Sequence, residues 1–483
     1  MKVPRDQRNT VQKKVLRPKR CAVLDGKPCA ACTEDIKLEQ EIRELEQMIE
    51  KLHNRRRALR TVMNENHDHL IHKFPPEIAS HIFIQYAPPS VNSYKGGRST
   101  PLLLGSVCRK WRQLAWATPQ LWSSIVIGPD KVPLGLVAEW LERSASLPLT
   151  IKFYGYSGQL KGVSQILNKH SARWYDMYLY IPPTFFRRFD GLSQGNILHR
   201  LVLRTNTSPN THSDPPKFSM KSEPRPTDLT LLEVGLPCVV IIWNNLTVAS
   251  LSEIDVGDCV ELIRRAPLLH TLRMREINSL SGIFPLPNTR IVHPHLHALE
   301  LQITDRSASV GFLDSVCLPS LEQWIHERDI FLVEHMISFI EWSPRLKVLK
   351  VSTDNIPDHQ VAQLLSHLST LELLELRSFQ DRYYRISDLI YLLCASGEST
   401  LFLPRMQSLE FVCTSSGSFP WDSLDQLFVS PRWRSLRVKV NVRRGWRDVE
   451  DESVDLLREL IDKGFDLSVG DEIDALQEGT WHY

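Results

Sequence analysis

No run of apolar residues in the 483-residue chain approaches the 18 or more that a membrane-spanning helix needs; Val239–Trp243 is typical of the longest. The basic N-terminus has no apolar segment behind it of the kind that marks a secretory leader. Net charge is nearly missing as well: 58 Lys+Arg stand against 56 Asp+Glu, leaving +2, so no global field draws the molecule onto nucleic acid or an anionic bilayer. The glycine-rich GxxxxGK phosphate loop, GxGxxG after a strand and HExxH are all absent. Phosphate binding and metalloproteolysis therefore have no local signature. The nine cysteines are odd in number and scattered from Cys21 to Cys413 through apolar segments, which argues for reduced, mostly buried thiols and against a secreted disulfide framework. A cytoplasmic or nuclear protein is expected, with no membrane partner, no metal and no cofactor.

What is present is an ordinary globular composition, 42% apolar, 24% charged and 8% aromatic, in a chain long enough for about three domains. Residues 1–35 form a basic tail, expected to be solvated and disordered: Lys2, Arg5, Arg8, Lys13, Lys14, Arg17, Lys19 and Arg20 face the single acid Asp6. Its run Lys14–Arg20 offers a nuclear address or a local nucleic-acid contact. Cys29-Ala-Ala-Cys32 has the spacing of half a zinc site, but no second ligand pair follows. Over 36–69, Leu38, Ile42, Leu45, Ile49, Leu52, Leu59 and Met63 recur at intervals of four and three, with Arg56 in the remaining slot. That is a heptad stripe on a helix, open to two readings: a coiled coil, or an amphipathic helix docked on its own protein. His67, His69 and His72 at its end lack a completing carboxylate or thiol and read as surface residues.

Phe74-Pro-Pro-Glu-Ile78 opens a helix, proline being tolerated in the first turn and Glu77 favouring its positive end. Ile78, Ile82 and Phe83 share one face, and after a Pro, Gly and Ser-rich loop a second helix is expected to carry Leu103, Val107, Trp111, Leu114 and Ala115. A region this small cannot bury its own apolar face, so something must cover it. The blocks Phe74–Ile78, Val107-Cys-Arg-Lys-Trp-Arg112, and Ala115 with Pro119–Trp122, in that order and spacing, resemble an F-box. The closer resemblance, over roughly 36–480, is to fungal F-box-like proteins in which a heptad helix precedes the F-box and divergent leucine-rich repeats follow. Phe74 stands where that family usually has Leu, and the loop between the first two helices is longer. The resemblance implies an F-box-like domain over 70–127 that docks on the adaptor subunit of a cullin-RING ubiquitin ligase through Pro75, Pro76, Ile78, Ile82, Phe83, Val107 and Trp111. The residues themselves say only that an apolar face needs cover, which the following domain would also supply.

The template apolar-x-x-apolar-x-apolar then recurs, at Trp174/Met177/Leu179, Leu198/Leu201/Leu203, Leu229/Leu232/Val234, Leu246/Ala249/Leu251, Leu269/Leu272/Met274 and Leu296/Leu299/Leu301. It continues at Leu346/Leu349/Val351, Leu371/Leu374/Leu376, Met406/Leu409/Phe411 and Trp433/Leu436/Val438, with a weaker copy at Leu321/Trp324 that puts His326 in the last slot. From Leu246 to Leu371 the starts are 23, 27, 25, 25 and 25 residues apart, inside the leucine-rich-repeat range. Pro267, Pro294, Pro319, Pro344, Pro404 and Pro431 stand two residues ahead of a start, and helical spacing precedes them at Val260–Arg265, Val333–Trp342, Val361–Leu368 and Ile386–Cys394. Strand, loop, helix, proline is thus the unit, and units must stack to bury a face none buries alone. The expected fold class is α/β: the N-terminal helix and small all-α F-box, then a curved leucine-rich-repeat-like solenoid over 128–450, and a C-terminal helix and cap over 451–483. Residues 204–228, rich in proline and poor in large apolar residues, read as a disordered insertion.

In each strand the residues alternating with the apolar frame face outward. These are Arg273 and Arg275, Glu300 and Gln302, Lys350 and Ser352, Glu375 and Arg377, Glu410, and Arg437 with Lys439. Among them Arg273, Glu300, Lys350, Glu375, Glu410 and Arg437 are the candidate target-binding residues, expected to be surface positions whose charge matters for a partner and costs the fold no more than about 0.5 kcal/mol when changed. His293, His295 and His297 alternate and would share one side of a strand, yet no acid or thiol accompanies them. Arg432, Arg434, Arg437, Lys439, Arg443, Arg444 and Arg447, with Trp433 and Trp446, form a basic aromatic patch that could hold single-stranded nucleic acid, or be neutralised by the acids of Asp448–Glu459. The function expected is that of a non-catalytic substrate receptor, its partners the ligase adaptor and cullin scaffold plus a protein target. The other readings are a nuclear nucleic-acid-associated protein and a structural scaffold.

Overall fold

Alternation of apolar and polar residues becomes, in the computed structural model, one 14-stranded sheet whose strands lie in chain order and pair in parallel throughout. The structure describes residues 28–67, 70, 73–86, 100–130, 132–155, 158–191, 195–205, 216–279, 283–303, 305–327, 332–352, 358–378, 390–391, 393–394, 402–413, 419, 421–429, 432–442 and 451–471. The chain divides into two compact units, Met1–Gln85 with Pro101–Trp116, and Tyr86–Thr100 with Ala117–Tyr483. The fold is mixed α/β, and the sheet is open, running from Ser124–Ile127 at one edge to Leu467–Asp471 at the other.

Parallel neighbours need a crossover between them. Helices supply it at Leu134–Arg143, Leu160–Asn168, Val256–Arg265, Arg306–Ser315, Val333–Glu341, Asp358–Ser366, Leu424–Val429 and Asp451–Asp462. Val256–Arg265 shows how sequence sets such a helix: the Asp255 carboxylate accepts from the Gly257 amide at 2.8 Å, and Val256, Cys259, Val260, Leu262 and Ile263 are buried. Asp305 caps Arg306–Ser315 in the same way, accepting from Ser307 at 2.8 Å and Ala308 at 3.4 Å. The frame residues Leu201, Leu229, Ala249, Leu272, Leu299, Trp324, Leu349, Leu374 and Leu409 fall in one inward row, each no more than 1% exposed. Burying one large aliphatic side chain contributes about 1.5–3 kcal/mol, so this row and its neighbour dominate the stability of the second unit.

The sheet corrects two repeat frames. Leu201 and Leu203 register with Leu229 and Leu231, not with Leu232 and Val234; Leu409 and Phe411 register with Val438 and Val440, not with Leu436 and Val438. Adjacent apolar residues at Leu231-Leu232, and a run of apolar alternate positions from Trp433 to Val442, leave the frame ambiguous until a neighbouring strand selects it. The weak copy is a full member: Trp324 and His326 pair with Leu299 and Leu301, and His326 is buried with its ring edge toward Trp324. Within the expected disordered insertion, 206–215 lie outside the described residues, but Phe218–Ser219 pairs with Val239–Val240, and Phe218 and Met220 are buried. Those two apolar side chains tie the segment down. Of the expected helix Ile386–Cys394 only 390–391 and 393–394 are described.

In the first unit the heptad helix spans Ala30–His67, beginning ahead of the expected residue 36 and taking in Cys32. The expected second F-box helix is two, Thr100–Val107 and Arg109–Trp116. They part at Cys108, whose sulfur accepts from the Trp111 amide at 3.4 Å while Arg112 Nε donates back to the Gly105 carbonyl at 2.7 Å. A Cβ at Gly105 would overlap the Trp116 ring, so any larger residue here requires that ring to shift.

Candidate functional site

Two surfaces carry the sequence-predicted residues, one in each unit. In the first, the helix Pro76–Tyr86 buries Ala79 and Phe83, one turn apart. Phe83 is 1% exposed and packs against Trp111 with ring centroids 4.8 Å apart. This corrects the expectation that Phe83 lies on the docking face: it belongs to the interior, and half-buried Trp111 leans on it. Ile78 and Ile82, also one turn apart, stand outside, as do Pro75, Pro76 and Val107. Phe74, Ile78, Ile82, Leu103 and Val107 remain 38 to 53% exposed. So many large apolar side chains left in water by so small a unit mark an interaction surface. The last block of the F-box pattern, Pro119–Trp122, falls in the second unit, where buried Trp122 packs edge-on against Trp140 at 4.9 Å under the guanidinium of Arg143.

The second surface is the outward face of the sheet. Register sets Arg273, Glu300, Ile325, Lys350, Glu375, Glu410 and Lys439 in one row, with Arg275, Gln302, Glu327, Ser352, Arg377, Val412 and Asn441 in the next. Arg437 falls outside that first row, in line with Ser408, as the corrected frame requires. Much of the charge on this face is bound up internally. Glu300 meets Arg275 at 2.8 Å and Arg273 at 3.5 Å; Glu375 meets Lys350 and Arg377 at 2.5 Å each, and Arg377 also meets Glu327. Glu375 is buried. Burial alone would raise its pKa, but the Arg377 and Lys350 charges and their hydrogen bonds outweigh burial, and the carboxyl lies below the usual range. The expectation that Lys350 and Glu375 are freely changeable surface positions is thereby corrected: they are a closed ion pair.

Sequence reasoning missed the other end of this face. Lys152, Tyr178 and Val202 continue the first row, and Tyr154, Tyr180 and Arg204 the second. Tyr154 packs tilted against Tyr178 at 5.1 Å and edge-on to Tyr180 at 6.4 Å, the Arg204 guanidinium sits 4.9 Å over the Tyr180 ring, and the Lys152 amine 5.9 Å over Tyr178. Burial lowers the Lys152 pKa. The signal was the alternating aromatics of Trp174-Tyr-Asp-Met-Tyr-Leu-Tyr180, legible as a face only once paired with Leu149–Tyr154.

The remaining candidates disperse. His293 is buried, with its Nε2 3.0 Å from the Ala266 carbonyl, whereas His297 stacks on His270 at 5.4 Å. The histidine alternation therefore converges on nothing, and among the described residues no group of three or more His, Cys, Asp or Glu is placed to hold a metal. Arg432 stacks 4.4 Å over Trp433 and donates to the Phe402 carbonyl, and Arg437 pairs with Asp466 at 3.0 Å. Arg443, Arg444, Trp446 and Arg447 lie outside the described residues, as do the basic tail through Lys27, His69 and His72. Burial holds the Cys259 thiol far above its ordinary pKa and pushes Cys238 up to about 11 and Cys413 to about 12, which makes them poor nucleophiles. No helix among the described residues is long and apolar enough to cross a membrane. No known family model matches the chain, and no curated protein is significantly similar to it.

Proposed function

We propose that this chain is the substrate-recognition subunit of a cullin-RING ubiquitin ligase, with an F-box-like first unit holding the adaptor and a leucine-rich-repeat-like solenoid holding a protein target. The observation that carries the reading is the division of labour within Pro76–Tyr86: Ala79 and Phe83 are buried, Phe83 against Trp111, while Ile78 and Ile82 are presented to solvent. Together with Pro75, Pro76 and Val107 they form an apolar set that a partner would desolvate, at about 25 cal/mol per Å² of apolar surface covered. A parallel strand every 20 to 35 residues along an open sheet, with a polar and aromatic outward face, supports the second half of the reading. No residue of the chain then needs to perform covalent chemistry. Ubiquitin transfer accelerates because the target's lysines are held at raised effective concentration near the charged ubiquitin-carrying enzyme.

Affinity purification of the full chain from a eukaryotic lysate, scored for adaptor and cullin, tests this. Both are recovered with the parent chain and lost from an Ile78→Glu, Val107→Glu double variant. Recovery of neither with the parent, or undiminished recovery with the folded variant, overturns it.

A further inference from the structure

The helix Ala30–His67 is 38 residues long, about 57 Å at 1.5 Å per residue, and carries an apolar stripe that nothing among the described residues covers. Leu38, Leu45, Leu52 and Leu59 recur every seven residues, each 50 to 59% exposed. Ile42, Ile49 and Met63 occupy the complementary heptad position, 52 to 54% exposed, with Arg56 in the slot between Ile49 and Met63. An exposed seam of leucine and isoleucine at alternating spacings of four and three is the pattern of a coiled coil.

Charge identifies the second strand. From Ala30 to Glu50 the helix holds seven acids and two bases; from Lys51 to His67 it holds five bases and one acid. Two parallel copies would set Glu41 beside Glu46 and Arg55 beside Arg60, because a flanking residue of one helix meets the one five positions on in the other. An antiparallel pair crossing between Glu50 and Lys51 does the reverse. It levels Ile49 with Leu52, Ile42 with Leu59 and Leu38 with Met63 of the other copy. It also sets Glu39 and Glu46 against Arg60, sets Glu41 against Arg55, and places Arg56 in the acidic half. Six of the eight seam layers are then apolar, the other two set Leu45 level with Arg56, and the flanking charges are of opposite sign.

We propose that Ala30–His67 is the interface of an antiparallel homodimer of this chain, an association independent of the adaptor reading above. Sedimentation equilibrium of the full chain at micromolar concentration and low salt tests it, with circular dichroism confirming that each variant keeps its helix. The parent sediments as a dimer, and Ile49→Lys with Leu52→Lys is monomeric. Reversing Glu39, Glu41 and Glu46 to Lys weakens the dimer at least tenfold, and adding Arg55→Glu and Arg60→Glu restores it. A parent that stays monomeric means that the stripe serves some other protein or none. A dimer that survives the Ile49 and Leu52 changes associates elsewhere. A dimer indifferent to the triple reversal is parallel. Each of these overturns the proposal.

Discussion

Lys350 and Glu375 stand opposite one another on neighbouring strands, ammonium and carboxylate 2.5 Å apart, with the carboxylate buried and shared with Arg377. A pair of this kind is strongly destabilising to break, because the surviving partner is left charged without compensation. Exchanging the two charges does not spare the fold either, since Arg377 would then face a lysine at 375.

Glu375→Ala is therefore expected to cost about 3 kcal/mol at pH 7 in urea denaturation. The carboxyl pKa is depressed in the folded chain, so its contribution is present above the unfolded value near about 4.3 and disappears as pH falls through the lower folded value. Glu375→Gln should accordingly be destabilising at pH 7 and approach parity with the parent only once the pH has fallen below the depressed folded value. A deficit unchanged by acid would mean that the ion pair is not its source.

Asp258 behaves oppositely. It is buried in the helix Val256–Arg265, accepts from the Leu236 amide at 3.3 Å, and burial raises its pKa to about 6. A raised folded pKa gives stability that is full below the unfolded value of about 3.9 and is lost as pH climbs through 6. Asp258→Asn keeps the acceptor without the charge, so it should gain about 2 kcal/mol at pH 7.5 and nothing at pH 4. Equal gains at both pH values would contradict this.

Glu233, Glu253 and Glu276 each follow a strand with φ of 58°, 57° and 51°, and their amides donate to the next strand's Ser252, Arg275 and Gln302 carbonyls. Left-handed backbone favours Gly or Asn over Glu. Glu253→Asn should raise stability by about 0.5 kcal/mol by easing that strain and thinning a row of like charge. A loss of stability on thermal melting would show that the Glu253 side chain makes a contact of its own.

Most of the sheet was legible in the spacing from Leu246 to Leu376, because each strand there alternates cleanly and a buried parallel strand tolerates only one frame. The frame slipped where apolar residues lie side by side, at Leu231-Leu232 and after Trp433. Burial of Glu375 was not legible, since it depends on Arg377 reaching across to Glu327 two strands away. The tyrosine cluster needed the pairing of Tyr154 with Tyr180, which no single segment contains. In the first unit both Ile78 and Phe83 were visible as apolar positions, but which of them turns inward was decided by the Trp111 ring on another helix.

Titration calorimetry of the purified ligase adaptor into the full chain tests the central reading most directly. The parent chain is expected to bind with one adaptor per chain, and Ile78→Glu with Ile82→Glu to abolish the heat while circular dichroism and thermal unfolding match the parent. No binding by the parent, or equal affinity for the folded double variant, would contradict an adaptor-docking role for this face.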